Sequence, residues 1–213
     1  MAPESRPSTT ATAGSPPLED HRDRLLAGMA AAVRARGFRG ATLADVVREA
    51  HVSRRTFYEH FTDPVDCYCA VLEQVAERTM ADIAAAVAGD GTPEERLDRA
   101  VGGYLAALEA EPLLMRSFLR ELHLTGERGR RLLATVNERA GQTIHQLVEE
   151  ARVRETDMEL HPVDVDTARM IASGIVQMAL IAQDEGRPLD EVRVSATRLL
   201  RRVIQAPEPD PLP

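Results

Sequence analysis

The residues that most constrain this chain run from Gly40 to Phe61, GATLADVVREAHVSRRTFYEHF. They spell two short helices joined by a tight turn. Thr42 is placed to N-cap the first, with Asp45 three residues on as a capping-box partner. Val46, Val47 and Ala50 then share one helical face. The helix stops at Ala50-His51, and Ser53 opens a second helix that carries Phe57 and Phe61 inward at i, i+4. Arg54, Arg55, Thr56, Tyr58 and His60 are left pointing elsewhere. Two cations, a hydroxyl, a phenol and an imidazole on one short helix suit phosphates and base edges and have no use in a core.

The surrounding sequence extends this to three helices. A helix from about Glu19 to Arg36 buries Leu25, Leu26, Met29, Ala32 and Val33 and ends at Gly37. Phe38 is expected to tuck beneath the two-helix motif. Charge follows the same division. The chain carries −8 overall, and all 26 basic residues are Arg. From Leu18 to Thr62 there are eight Arg against six acids, whereas from Asp63 onward there are 17 Arg against 27 acids. The only positive part is the one with the exposed cationic helix. Its margin is small, which predicts modest non-specific affinity and strong salt dependence.

The segment resembles the DNA-binding region of the TetR family of transcriptional regulators. The matching residues are Gly37-Phe38 with Thr42, Ala50-His51-Val52-Ser53, and Thr56-Phe57-Tyr58-Glu59-His60-Phe61. The resemblance implies that Thr42, Tyr58 and His60 contact phosphates. It implies that Arg54, Arg55 and Thr56, on the helix opened by Ser53, reach base edges. Two positions depart from the family pattern: His51 stands where the turn usually has Gly, and Pro64 stands where a phosphate-contacting Lys is usual.

Length and composition fit an all-α chain. With 213 residues, 44% hydrophobic, 3% aromatic and no Trp, the core must come from Leu, Val, Ala, Ile and Met. The division is a Pro/Ser/Thr-rich tail over 1–17, a helix-turn-helix head over 18–63, a larger helical body over 64–206 and a Pro-rich tail over 207–213, about nine helices in all. Asp63-Pro64 starts a helix of roughly 24 residues, about 36 Å at ~1.5 Å per residue. Thr92-Pro93-Glu94-Glu95 starts another, with Gly102-Gly103 mid-course suggesting a close helix crossing or a ligand lying against the backbone. Helices follow from Pro112 to near Gly126, about Arg128 to Arg154, about Asp164 to Asp184, and Leu189 to Gln205.

By resemblance, the body binds a small molecule and moves the heads of a homodimer through the long fourth helix. The implied pocket comprises Tyr68, Leu72, Tyr104, Leu108, Met115, Phe118, Val136, Met170 and Met178; the same residues would also serve as plain core. The last two helices carry small residues, Ala172, Ser173, Gly174, Ala179 and Ala182. Two such helices from each of two chains would make a four-helix interface.

Catalytic signatures are missing from the sequence: there is no G-x-S-x-G, no phosphate-binding glycine loop and no H-E-x-x-H. His123, His145 and His161 lack metal spacing, and no cofactor is expected. Cys67 and Cys69 imply no disulfide framework, which fits a reducing cytoplasm. No apolar run is expected to reach the length of a membrane span. The reading is a DNA-binding transcriptional regulator, not an enzyme, acting as a repressor released from a near-palindromic operator by a small hydrophobic ligand. The alternative is a helical small-molecule-binding protein whose head no longer binds DNA.

Overall fold

The computed structural model describes residues 18–154 and 160–205, so both expected tails lie outside the described residues. Among the described residues nine α-helices follow in order: α1 (Leu18–Gly40), α2 (Leu43–Ala50), α3 (Arg54–His60), α4 (Pro64–Val87), α5 (Pro93–Ala110), α6 (Pro112–Glu121), α7 (Glu127–Arg154), α8 (Val165–Asp184) and α9 (Leu189–Gln205). A 3₁₀ turn, Leu122–Thr125, links α6 to α7. No strand occurs among the described residues.

Side-chain caps set most of the helix starts. Thr42 and Thr92 each form a full capping box, with Asp45 and Glu95 respectively. Ser53, Asp63 and Asp164 each accept from the backbone amide three residues on. Pro64, Pro93 and Pro112 occupy first-turn positions, where their missing N–H costs nothing. Helical geometry in α1 breaks at Gly37, whose φ of 69° favours glycine.

Leu25, Met29 and Val33 of α1 meet Val46 and Ala50 of α2 and Phe57 and Phe61 around α3, all of them buried. Gly28 lets α1 and α2 touch backbone to backbone: a Cβ there would lie 2.7 Å from the Val46 carbonyl oxygen and 2.9 Å from the Ala50 nitrogen. Phe38 does not slip under α2 and α3 as the sequence suggests. It stacks on Tyr68 of α4, ring centroids 4.1 Å apart and 19° between planes. Its place is the joint between the first three helices and the rest.

In the body, α5 packs against α4 and α9, and α7 packs against α8. Gly102 and Gly103 do lie at these crossings, but a Cβ at either would make ordinary contact, 3.5 Å from Arg193 and 3.6 Å from Ile83. Close approach therefore does not require them. Cys67 and Cys69 are both buried, and burial pushes the Cys67 thiol up to about 12.

The expectation about membrane length needs correcting. The 20-residue α8 is long and apolar enough to cross a membrane by length and composition, with a mean hydropathy of 1.3. Its apolar residues Ala168, Ile171, Ile175, Ala179 and Ala182 recur at helical spacing and are buried. That is the stripe of a helix packed in a bundle. A run of small and apolar residues scores alike in either setting, because mean hydropathy ignores which face each residue occupies.

Candidate nucleic-acid interface and ligand cavity

The turn between α2 and α3 is held by its own backbone and by one arginine of α1. His51 adopts a left-handed conformation, φ 53° and ψ 43°, and its amide donates to the Arg48 carbonyl at 3.2 Å. Its carbonyl accepts from Arg24 Nη2 at 2.7 Å. Histidine reaches this region more readily than a branched residue, so the backbone keeps the turn without glycine. Ser53 Oγ accepts from the Thr56 amide at 3.0 Å and lies 2.9 Å from Thr56 Oγ1.

Phe57 anchors α3, and the helical period then decides what its other residues face. Arg54, Arg55 and Tyr58 are exposed. The Arg55 side chain is 90% exposed and holds Glu59 at 3.2 Å, an i, i+4 pair that solvent screens. Tyr58 is 58% exposed and sits edge-on to Phe57 at 5.4 Å. Arg54 has no ion-pair partner among the described residues. Three extended donors thus project from one turn and a half of helix.

His60 departs from its expected orientation. It is half-buried, and its Nε2 is enclosed without a hydrogen-bond partner. Its ring lies 6.4 Å from that of His21 on α1. At three residues from Phe57 it stands about 300° around the helix, within about 60° of the buried stripe. Thr42 is exposed, but its hydroxyl is engaged in the cap, donating to Asp45 Oδ2 at 2.6 Å. That hydroxyl, with Arg48 at 2.8 Å, holds the Asp45 carboxyl down at about 2.

Past α3 the chain turns sharply. Asp63 accepts from the Asp66 amide at 2.8 Å, and Asp66 in turn accepts from the Thr62 amide and hydroxyl. Arg128 of α7 reaches Asp66 at 2.7 Å. Pro64 contributes no donor here.

A cavity of 160 Å³ lies among α4, α5, α7, α8 and α9. Its walls include Ile83, Val101, Tyr104, Val136, Ile144 and Leu200. They are almost wholly apolar. Burial pushes the Tyr104 phenol up, and its hydroxyl has no hydrogen-bond partner among the described residues. Arg96, also in the wall, donates to the Gly91 carbonyl at 2.7 Å.

Two of the nine residues expected in a pocket, Tyr104 and Val136, line this cavity. Tyr68, Leu72, Leu108, Met115 and Phe118 are buried in the core instead. Met170 and Met178 face outward, 67% and 45% exposed. Periodicity identified them as apolar, but it carries no information on which apolar face meets a void. Sequence reasoning also missed wall residues such as Met80, Ala140, Ala172 and Ile175. The only available signal was the pairing of small residues on α7 and α8.

Comparisons with known proteins agree with this geometry. The family described as bacterial regulatory proteins, tetR family, matches residues 25–64. The chain is 23% identical over 179 residues to the HTH-type transcriptional activator FasR of Mycolicibacterium smegmatis, covering 82% of this chain and 78% of that protein. It is 28% identical over 94 residues to the HTH-type transcriptional regulator HbdR of Aromatoleum sp., covering 44% and 41% respectively. Among solved structures it is similar to the transcriptional regulator FadR from Bacillus subtilis in complex with stearoyl-CoA, with TM-score 0.70, 14% identity and coverage of 85% of this chain and 98% of that one. It is equally similar to the reduced form of NemR from E. coli, with TM-score 0.70, 18% identity and coverage of 88% and 100%. At these identities the structural likenesses speak for the fold.

Proposed function

Because this chain belongs to the TetR family of helix-turn-helix transcriptional regulators, we propose that it is a cytoplasmic repressor that leaves a near-palindromic operator when a small hydrophobic ligand fills the α4–α9 cavity. The carrying observation is the α3 face: Arg54, Arg55 and Tyr58 extend into solvent from a helix pinned by Phe57. In this reading residues 18–63 are the DNA-binding head and 64–206 the effector and dimerisation body. Arg54, Arg55 and Thr56 read base edges, and Tyr58 holds phosphate. Thr42 and Ser53 fix the start of each helix of the motif through their hydroxyls. His60 supports α3 from behind.

Dimerisation follows from α8 and α9. They leave Met170, Met178, Val194 and Leu199 exposed, and a Cβ at Gly174 would touch nothing. Exposed apolar residues on two adjacent helices suit a two-fold four-helix contact. A two-fold dimer would present its heads to half-sites about one helical turn apart or somewhat more. The relative crystallised with stearoyl-CoA supports a ligand with a large apolar part.

A mobility-shift titration against the DNA upstream of the chain's own gene, at two salt concentrations, tests this reading. The expected result is a sharp complex that weakens steeply with salt and is released by ligand. Ligand binding with no DNA complex at either salt would favour the alternative of a sequestering protein, for which Pro64 and the acidic body speak. A reporter that falls silent on ligand addition would instead mark an activator, as the FasR relative is named.

A further inference from the structure

We infer that the effector is an amphipathic anion, which enters between α4 and α7 and docks its charged head on Arg139; this rests on reading the cavity as the effector site. The apolar cavity does not end at its own wall. A second, shallower cleft of 260 Å³ opens beside it, and the two share Met80, Val136 and Thr143. Apart from Ala76, the remaining walls of the cleft differ in kind. Glu77 stands on α4, and Arg139, Gln142 and Gln146 stand on α7. An almost wholly apolar chamber and a more polar antechamber thus share one long, flexible thioether and two smaller side chains.

The antechamber is bridged by one contact. Arg139 Nη1 donates to Glu77 Oε1 at 3.1 Å, with the two side chains 48% and 57% exposed. A single screened bond of this kind opens easily. It uses one of the five guanidinium N–H groups. A carboxylate arriving from solvent could pair with Arg139 in the two-bond geometry that Glu77 does not achieve. The Gln146 amide, which has no hydrogen-bond partner among the described residues, lines the same cleft about two helical turns further along α7. Gln142 turns its amide nitrogen to Glu138 at 2.9 Å and so braces the rim. A cationic head would have to displace Arg139 from Glu77 and then sit beside the freed guanidinium. The apolar part of the ligand would pass Met80 and meet the unpartnered Tyr104 hydroxyl inside.

The test uses the full chain and three probes that share one alkyl body: octanoate, octanol and octylammonium, measured by calorimetric titration. Octanoate is expected to bind about tenfold more tightly than octanol, and octylammonium most weakly. Arg139→Gln should abolish the advantage of octanoate while leaving octanol within about twofold. Glu77→Gln should tighten octanoate several-fold, because the competing carboxylate is gone, and again leave octanol unchanged. A merely structural ion pair would make both variants weaken all probes alike, and that result overturns the proposal. Equal binding of octanoate and octanol to the unsubstituted chain also overturns it, while leaving the cavity as an effector site. If none of the three binds, the reading of the cavity falls and the proposal with it.

Discussion

The backbone amide of Phe38 donates to Glu121 Oε2 at 2.8 Å, joining two residues 83 positions apart in the chain. Glu121 ends α6, and the Ser117 hydroxyl on the same helix also donates to it. Ser117 Oγ in turn lies 2.9 Å from the Tyr68 hydroxyl on α4, beneath the ring of Phe38. One carboxylate therefore ties the end of α1 to both α4 and α6. Nearby, Arg34 grips Glu111 through two bonds of 2.7 Å. That pair is more exposed and contributes at most about 1 kcal/mol.

Glu121→Ala should leave the Phe38 amide without its partner. The expected cost is about 1–3 kcal/mol, read as a lower urea midpoint. Operator affinity without ligand should change little, since α3 is untouched. The ligand's ability to release DNA should fall, because α6 no longer holds the α1 joint. Full retention of ligand response in a footprint titration would remove Glu121 from the coupling.

Arg55→Ala and Tyr58→Phe should separate sequence reading from phosphate holding. Loss of the Arg55 guanidinium should weaken specific binding by about 1–3 kcal/mol and leave non-specific binding much less affected. Loss of the Tyr58 hydroxyl should weaken all sequences alike. Parallel footprints on operator and scrambled duplex measure both. An Arg55→Ala protein with unchanged specific affinity would place that residue outside the interface.

Asp45 predicts a pH dependence with a definite sign. Hydrogen bonds from Thr42, then Arg48, lower its carboxyl from the ordinary 3.8 to about 2. A depressed acid stabilises the fold fully above the unfolded value and loses that contribution as pH falls toward the folded one. The difference in stability between the unsubstituted chain and Asp45→Asn should therefore be constant above about pH 5 and shrink between about 5 and 2. Circular-dichroism unfolding across that window checks it. A difference independent of pH would mean that the cap, and not the charge, carries the effect.

Met170→Asp with Met178→Asp should split the proposed dimer. Both residues are exposed in the single chain, so its folding stability should move by less than about 0.5 kcal/mol per site. In a two-fold interface each substitution counts twice, burying unpaired charge. Light scattering on the eluted protein should report half the mass, and operator binding should drop at least about tenfold. A double variant that keeps the dimer mass would move the interface elsewhere.

Local chemistry made much of the fold legible in advance. Thr42, Ser53, Asp63, Thr92 and Asp164 each mark a helix start, because an orphan amide must find an acceptor within three residues. Phe57 and Phe61 determine which way α3 faces, because residues four apart share a side of a helix. The exposure of Arg54, Arg55 and Tyr58 follows from that alone.

Other features needed the neighbouring helices in place. A helical period distinguishes an apolar face from a polar one, yet it cannot say what that face meets. Met170 and Ile175 look alike in sequence, but one faces solvent and the other a cavity. His60 faces inward because α1 closes over the flank of Phe57, and Phe38 meets Tyr68 because α4 packs against α1. The partners of such residues, and the empty space between α4, α5, α7, α8 and α9, depend on how helices far apart in sequence come together in three dimensions. Packing among distant side chains, which no local pattern encodes, is what decided them.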